Sequence, residues 1–201
     1  MLRHSLLGPQ QILAHLAYML CLVKYGRHAN KKNKGYLTRM KVARMQQIGI
    51  LLVQEELLAA LYQPAVSRLQ AHLLAGDSVV LLTGTPEFIA RPLAQVLGIA
   101  EISATICQVR AGRYLLRTPS QHPFGTSKAT LAQAMCRQLG LPLQEAAAYA
   151  DSYCDLPLLE RVAEPVAVRP DQRLRRIALQ RGWEIIDQQP GTVAPLSPPR
   201  L

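Results

Sequence analysis

The shortages in this sequence bound it first. The four cysteines (Cys21, Cys107, Cys136, Cys154) form no C-x-x-C pair, which argues against metal knuckles and redox dithiols. They read as free thiols in a reducing compartment. No charged n-region, apolar h-region and small-residue cleavage site occur in order at the start. The longest apolar run, Ile12 to Val23, is broken by His15. It falls short of the roughly 20 residues a membrane-spanning helix needs. These absences predict a cytoplasmic protein with no transmembrane segment. Aromatic residues are sparse at 5%, and acids are the scarcer charge, 13 Asp and Glu against 23 Lys and Arg. A formal net charge of +10 favours acidic partners: phosphorylated substrates, nucleic acid or an anionic membrane. Solubility alone is the plainer explanation. Hydrophobic residues make up 49% of the 201 positions, enough for a sizeable core.

The chain divides near Pro64. Before it the pattern is helical. Gly8-Pro9 suits a helix start, and Ile12, Leu13, Leu16, Met19, Leu20 and Val23 recur at helical spacing. A basic stretch from Lys24 to Arg44 contains no acid. Ile50, Leu51, Leu57, Leu58 and Leu61 mark a further helix. Beyond Pro64 helices alternate with short apolar strands. Val66 to Leu74 is one face of a helix stopped at Gly76-Asp77. Val79-Val80-Leu81-Leu82 reads as a strand buried on both faces. Thr85 reads as the N-cap of the next helix, with Pro86 in its first position. Ile102 to Val109 and Arg113 to Leu116 read as extended pieces around Ala111-Gly112. A helix follows Gly125-Thr126-Ser127-Lys128, then come strands at Ala147–Ala150, Pro165–Val168 and Trp183–Ile186, with a basic helix from Arg173 to Gln180. The tail from Gln188 carries four prolines and reads as disordered. The alternation predicts an α/β fold, a doubly wound, three-layer Rossmann-like parallel sheet.

In such a sheet ligands bind beyond the carboxyl ends of the strands. Three of those ends carry polar groups: Thr83, the Lys128 loop, and Asp151 with Asp155 four residues on. A hydroxyl, an ammonium and two carboxylates suit a phosphoryl group beside Mg²⁺. Asp151 would ligate the metal, which prefers oxygen. Asp155 would hold a metal-bound water or orient the lysine. Lys128 would offset phosphate charge, and Thr83 would donate to a phosphate oxygen. Each residue also has a plain role: strand end, exposed first-turn lysine, or N-cap pair for Asp151 and Ser152.

In this order the segments resemble the haloacid dehalogenase-like superfamily, in its phosphoserine phosphatase-like branch. Val79 to Phe88 resembles that branch's second motif, with Thr83 and Gly84 at the phosphate. Phe124 to Lys128 resembles the third, and Asp151 to Leu159 the fourth. Pro165 to Asp171 and Gly182-Trp183 match the segments that follow, except that Arg169 stands where asparagine is usual. The resemblance spans about residues 64 to 187. It implies residues 1–62 as a helical cap region, 63–187 as the α/β core and 188–201 as a tail. It further implies a Mg²⁺-dependent phosphomonoester hydrolase acting on a small phosphorylated substrate. The catalytic group would be Thr83 and Lys128, with Asp155 in support. Thr83, Gly84 and Lys128 would hold phosphate, and Asp151 and Asp155 the metal.

One part is missing. The family's first motif is a strand ending in Asp-x-Asp, whose first carboxylate attacks phosphorus. The chain has no Asp-x-Asp, and its first aspartate is Asp77. Covalent catalysis needs an attacking group, so the chain as written is expected to be inactive. That strand would lie between the strands ending at Thr83 and Asp151, so both are expected to expose unpaired edges that invite self-association. The expectation is therefore a truncated chain whose native product begins upstream. Two other readings stand beside this one: a non-catalytic protein that keeps the phosphate pocket, and a nucleic-acid or anionic-membrane binder using Lys24 to Arg44. No recognised nucleic-acid-binding pattern supports the last.

Overall fold

The fold is taken from a computed structural model that describes residues 34–187. The helix expected over Ile12 to Val23, the front of the basic stretch and the proline-rich tail lie outside the described residues. Helix α1 spans Val42–Leu52 and continues as a wider turn over Val53–Leu57. The basic residues Lys41 and Arg44 thus sit at and just inside its start. Helix α2 spans Gln63–Ala75, with Pro64 in its first turn. Gly76 closes it at φ 81°, a left-handed conformation that spares a side-chain clash.

Strand β1 (Val80–Pro86) runs parallel to β2 (Glu101–Thr105), with Leu81 opposite Ile102. Helix α3 (Glu87–Val96) connects them. Pro86 ends the strand and caps α3, so neither Thr85 as cap nor Pro86 as first helical residue is found. The Thr85 hydroxyl instead meets that of Thr83 at 3.0 Å. The piece expected over Ile102 to Val109 is two elements, β2 and then β3 (Val109–Arg110), which pairs with β4 (Arg113–Tyr114). Their two-residue loop, Ala111-Gly112, has φ of 49° and 69°. Two positive angles are what the favoured tight hairpin turn requires.

Helix α4 spans Thr126–Gln138. Strand β5 (Ala147–Ala150), short helix α5 (Leu156–Leu159), strand β6 (Glu164–Val168), helix α6 (Gln172–Arg181) and strand β7 (Glu184–Ile186) complete the chain. The parallel order is β5-β6-β7, with Tyr149 opposite Val166 and Ala167 opposite Ile185. One face carries Ala148, Ala150 and Ala167, sealed by Leu159, Leu174 and Ala178. The other face meets α2, where His72 reaches the Tyr149 hydroxyl at 2.7 Å and Arg68 pairs with Glu184. Helix, sheet and helix form three layers there.

The parallel sheet is in two parts. Among the described residues no ladder joins β1 to β5. The expectation that Val79 to Leu82 is buried on both faces is wrong: Val79 through Thr85 are all only half-buried. Among the described residues β1 pairs on one edge only, with β2.

The β1–β2 part is closed by a second core of Leu37, Met45, Phe88 and Tyr114. Gly49 of α1 faces the Phe88 carbonyl so closely that a Cβ would overlap it. Its missing side chain is what lets α1 lie on α3.

Candidate functional site

The site is built at the carboxyl ends of β1 and β5, around the loop that enters α4. Gln121 fastens that loop to β2 through its side-chain amide, 3.1 Å from both the Ser103 hydroxyl and the Ala104 carbonyl. The Thr105 hydroxyl donates to the Gly84 carbonyl at 2.7 Å and lies 2.8 Å from His122 Nδ1. The strand end at Gly84 and the loop at His122 are thereby held together. A Cβ at Gly84 would come within 3.3 Å of the Pro123 carbonyl, so the loop crosses where there is no side chain.

Gly125 precedes α4 at φ 59° and ψ −131°, a conformation reserved for glycine. The Ser127 hydroxyl accepts from Phe124 N at 2.9 Å and lies 2.7 Å from the His122 carbonyl. These contacts fix the first turn of α4. Lys128 leaves that turn, and its ammonium meets Asp155 Oδ2 at 2.7 Å. The two side chains are 17% and 8% exposed, a nearly dry pair. Of the two roles open to Asp155, orienting the lysine is the one with a contact in the structure.

After β5 the chain turns sharply. Ser152 caps the turn Tyr153–Asp155 by accepting from Cys154 N at 3.4 Å. Asp171, which lies just past the next strand at the start of α6, braces it. Its amide donates to the Asp151 carbonyl at 2.8 Å, and its carboxylate accepts from Tyr153 N, Arg173 N and Leu174 N. Burial pushes the Asp171 carboxyl up, but the hydrogen bonds from Leu174, Tyr153, Ser152 and Arg173 outweigh it and hold the group below its ordinary 3.8. Asp171 thus caps α6 and supports the Asp151 turn at once. Arg169 takes φ 42°, a left-handed conformation that asparagine tolerates better than most residues. Its guanidinium stacks over Tyr62 at 5.4 Å.

The structure therefore brings together Lys128 and Asp155, with Asp151 at the start of the same turn. Among the described residues Thr83 shares no hydrogen bond with them; its hydroxyl accepts from Thr85 N at 3.1 Å. Thr105, His122, Ser127 and Asp171 escaped the sequence reading. Asp171 had a signal, an acid just ahead of a helix. Thr105 and His122 act through contacts distant in sequence, and Ser127 through its own loop.

Asp151 is exposed and among the described residues has no ionic partner, whereas Asp155 is committed to Lys128. Among the described residues no three His, Cys, Asp or Glu side chains gather into a metal cluster. One carboxylate with water suits Mg²⁺, which keeps much of its hydration, and suits transition metals poorly. Among the described residues no helix is long and apolar enough to cross a membrane.

The chain is similar to known proteins. A family model described as haloacid dehalogenase-like hydrolase matches residues 2–160. Phosphoserine phosphatase SerB1 of Mycobacterium tuberculosis H37Rv is 33% identical over 157 residues, 78% of this chain and 51% of that protein. Histidinol-phosphatase of Neisseria meningitidis serogroup C is 36% identical over 125 residues, 59% of this chain and 55% of that protein. The chain thus spans about half the length of the curated relatives it matches. A solved structure from Bordetella pertussis Tohama I, of a protein with unknown function, superposes with a TM-score of 0.75 at 28% identity, covering 89% of each chain.

Proposed function

The chain belongs to the haloacid dehalogenase-like hydrolase family, in its phosphoserine phosphatase-like branch, and on that premise we propose that it forms most of a magnesium-dependent phosphomonoester hydrolase whose attacking carboxylate is absent from these 201 residues. The observation that carries this reading is the Lys128–Asp155 pair. It sets one ammonium at the N-terminus of α4, beside the exposed Asp151. A helix N-terminus and a positioned lysine both favour a phosphate. Lys128 would offset charge on the phosphoryl oxygens, and Asp155 would hold it there. Thr83 and the Gly84 backbone would bind a further phosphate oxygen after the Thr83 hydroxyl turns from Thr85. Asp151 would hold Mg²⁺. The metal, when bound, supplies neutralisation of phosphoryl charge.

Attack on phosphorus still needs a nucleophile. The space between β1 and β5 is the place this reading assigns to a strand that carries one. Both strands lack a partner on that side among the described residues, and β1 is only half-buried. In this assignment residues 1–62 act as a helical cap, 63–187 as the core and 188–201 as a tail. The same unpaired edges support self-association, which sedimentation at rising concentration measures.

A second reading, a phosphate-binding protein without catalysis, is favoured by the missing Asp-x-Asp. Both readings require the phosphate pocket, so calorimetric titration of the 201-residue chain with inorganic phosphate and Mg²⁺ tests them together. Binding is expected to weaken about tenfold or more in Lys128→Met. The Mg²⁺ dependence is expected to vanish in Asp151→Asn. Phosphate binding that ignores Lys128 contradicts the assignment.

A further inference from the structure

Beside the phosphate-facing turn lies a groove of about 410 Å³, within the range of small-molecule sites. Its walls come from three elements: Val42 and Ile50 of α1, Phe88 and Pro92 of α3, and Val109 and Tyr114 of the β3–β4 hairpin. Pro86 and Thr105 also line it. Pro86 ends the strand that carries Thr83, and Thr105 bonds the Gly84 carbonyl. The groove thus abuts the strand end assigned to phosphate, sharing Thr105 with it.

Its charge content is unusual for so basic a chain. The two charged side chains in the lining, Glu87 and Arg91, pair with each other across one helical turn. The two glutamines there, Gln46 and Gln95, are neutral. Burial pushes the Cys107 thiol up, with the nearby Lys34 partly offsetting it. Burial pushes the Tyr114 phenol up as well, helped by Cys107 and Glu87. Both stay uncharged at neutral pH. Lys34 interacts with Cys107 from outside the lining, and burial lowers its own pKa. Among the described residues, nothing in the lining offers an unpaired cation to a substrate carboxylate or an unpaired anion to an ammonium. Ile50 and Val109, each 47% exposed, present apolar surface to whatever enters.

We propose that this groove seats the leaving group of the substrate and selects an apolar, uncharged one, so that the site takes an alkyl or aryl phosphomonoester in preference to an amino-acid phosphate. The inference rests on the phosphate site proposed above and adds its substrate class. A zwitterionic leaving group would surrender its hydration to a wall that cannot replace it. Each methylene of an apolar group sheltered in the groove is worth about fourfold in affinity.

Binding tests this without the missing nucleophile. The 201-residue chain is titrated by calorimetry, with Mg²⁺, against inorganic phosphate, phosphoserine, phenyl phosphate and hexyl phosphate. Phenyl or hexyl phosphate is expected to bind about tenfold tighter than phosphoserine, and the tighter of the two separates aryl from alkyl selection. Ile50→Asn and Val109→Asn, both at half-exposed positions that do not support the core, are expected to erase most of that preference and leave inorganic phosphate unchanged. Phosphoserine binding as tightly as the apolar esters overturns the proposal, as does a preference indifferent to both substitutions. If inorganic phosphate binds with no apolar preference, the groove assignment falls and the phosphate site stands. If hexyl phosphate binds through Ile50 while inorganic phosphate does not bind, the groove assignment holds and the phosphate site falls.

Discussion

The two parts of the parallel sheet differ in how well they are finished. Around β5-β6-β7 the alternation of the strands is fully used: Leu159, Ala167, Leu174 and Ala178 are completely buried between sheet and helices. Around β1 the sequence is more apolar, yet Val79 through Thr85 are only half-buried, and α2 contains no fully buried residue. Apolar content does not make a core; neighbours on both edges and both faces do. The candidate site lies where these two parts approach each other. Lys128 leans on Asp155 at the end of β5, and His122 and Thr105 hold the end of β1.

Truncations on the two sides break or sharpen this contrast. Leu159→Ala in the finished part is expected to cost about 3 to 5 kcal/mol, as for a fully buried leucine that leaves a cavity. Leu82→Ala on β1 is expected to cost only about 1 kcal/mol, because much of its surface stays wet. Denaturant titration measures both, and equal costs erase the distinction. Joining a strand to the free edge of β1 should raise the Leu82→Ala cost towards that of Leu159→Ala.

Next in size is Gly49→Ala, which sets a methyl against the Phe88 carbonyl. Forcing α1 off α3 is expected to cost about 2 to 3 kcal/mol and to open the apolar groove. Thermal unfolding reads the first effect. An unchanged midpoint means α1 does not rest on α3 through that glycine.

The smallest effect concerns Asp171. Its folded pKa lies below 3.8, so its contribution is fully present at neutral pH and is lost as the pH falls below about 4 toward the folded value. Asp171→Ala is expected to cost about 1 kcal/mol at pH 7, the usual worth of a helix cap, and less at pH 3. Asp171→Asn keeps the cap and should flatten the acid limb of the stability curve. A cost for Asp171→Ala that does not change with pH contradicts the assignment.

What could be read from the sequence follows from the range of the forces involved. Gly76 marks a helix end because a left-handed turn is a local demand. Lys128, Asp151 and Asp155 were legible because each sits at the carboxyl end of a short apolar strand or at the start of the helix beyond it. The state of β1 was not legible, since a run of valine and leucine looks the same with one neighbour or two. Thr85 was mistaken for a cap because Pro86 extends the strand by one residue more than its usual place in a helix suggests. Gly49, Thr105 and His122 were missed for one reason: each matters through an atom of a residue at least 17 positions away. The left-handed backbone at Arg169 gives that departure from asparagine a physical meaning that the sequence did not carry.

The central proposal is that this chain holds the phosphate- and metal-facing side of a hydrolase but not its nucleophile. The most direct test is hydrolysis of p-nitrophenyl phosphate with Mg²⁺. It is run on the 201-residue chain and on the same chain extended at its N-terminus by a strand ending in Asp-x-Asp. The account predicts no turnover above background for the first and Lys128-dependent turnover for the second. Turnover by the 201-residue chain itself would contradict it.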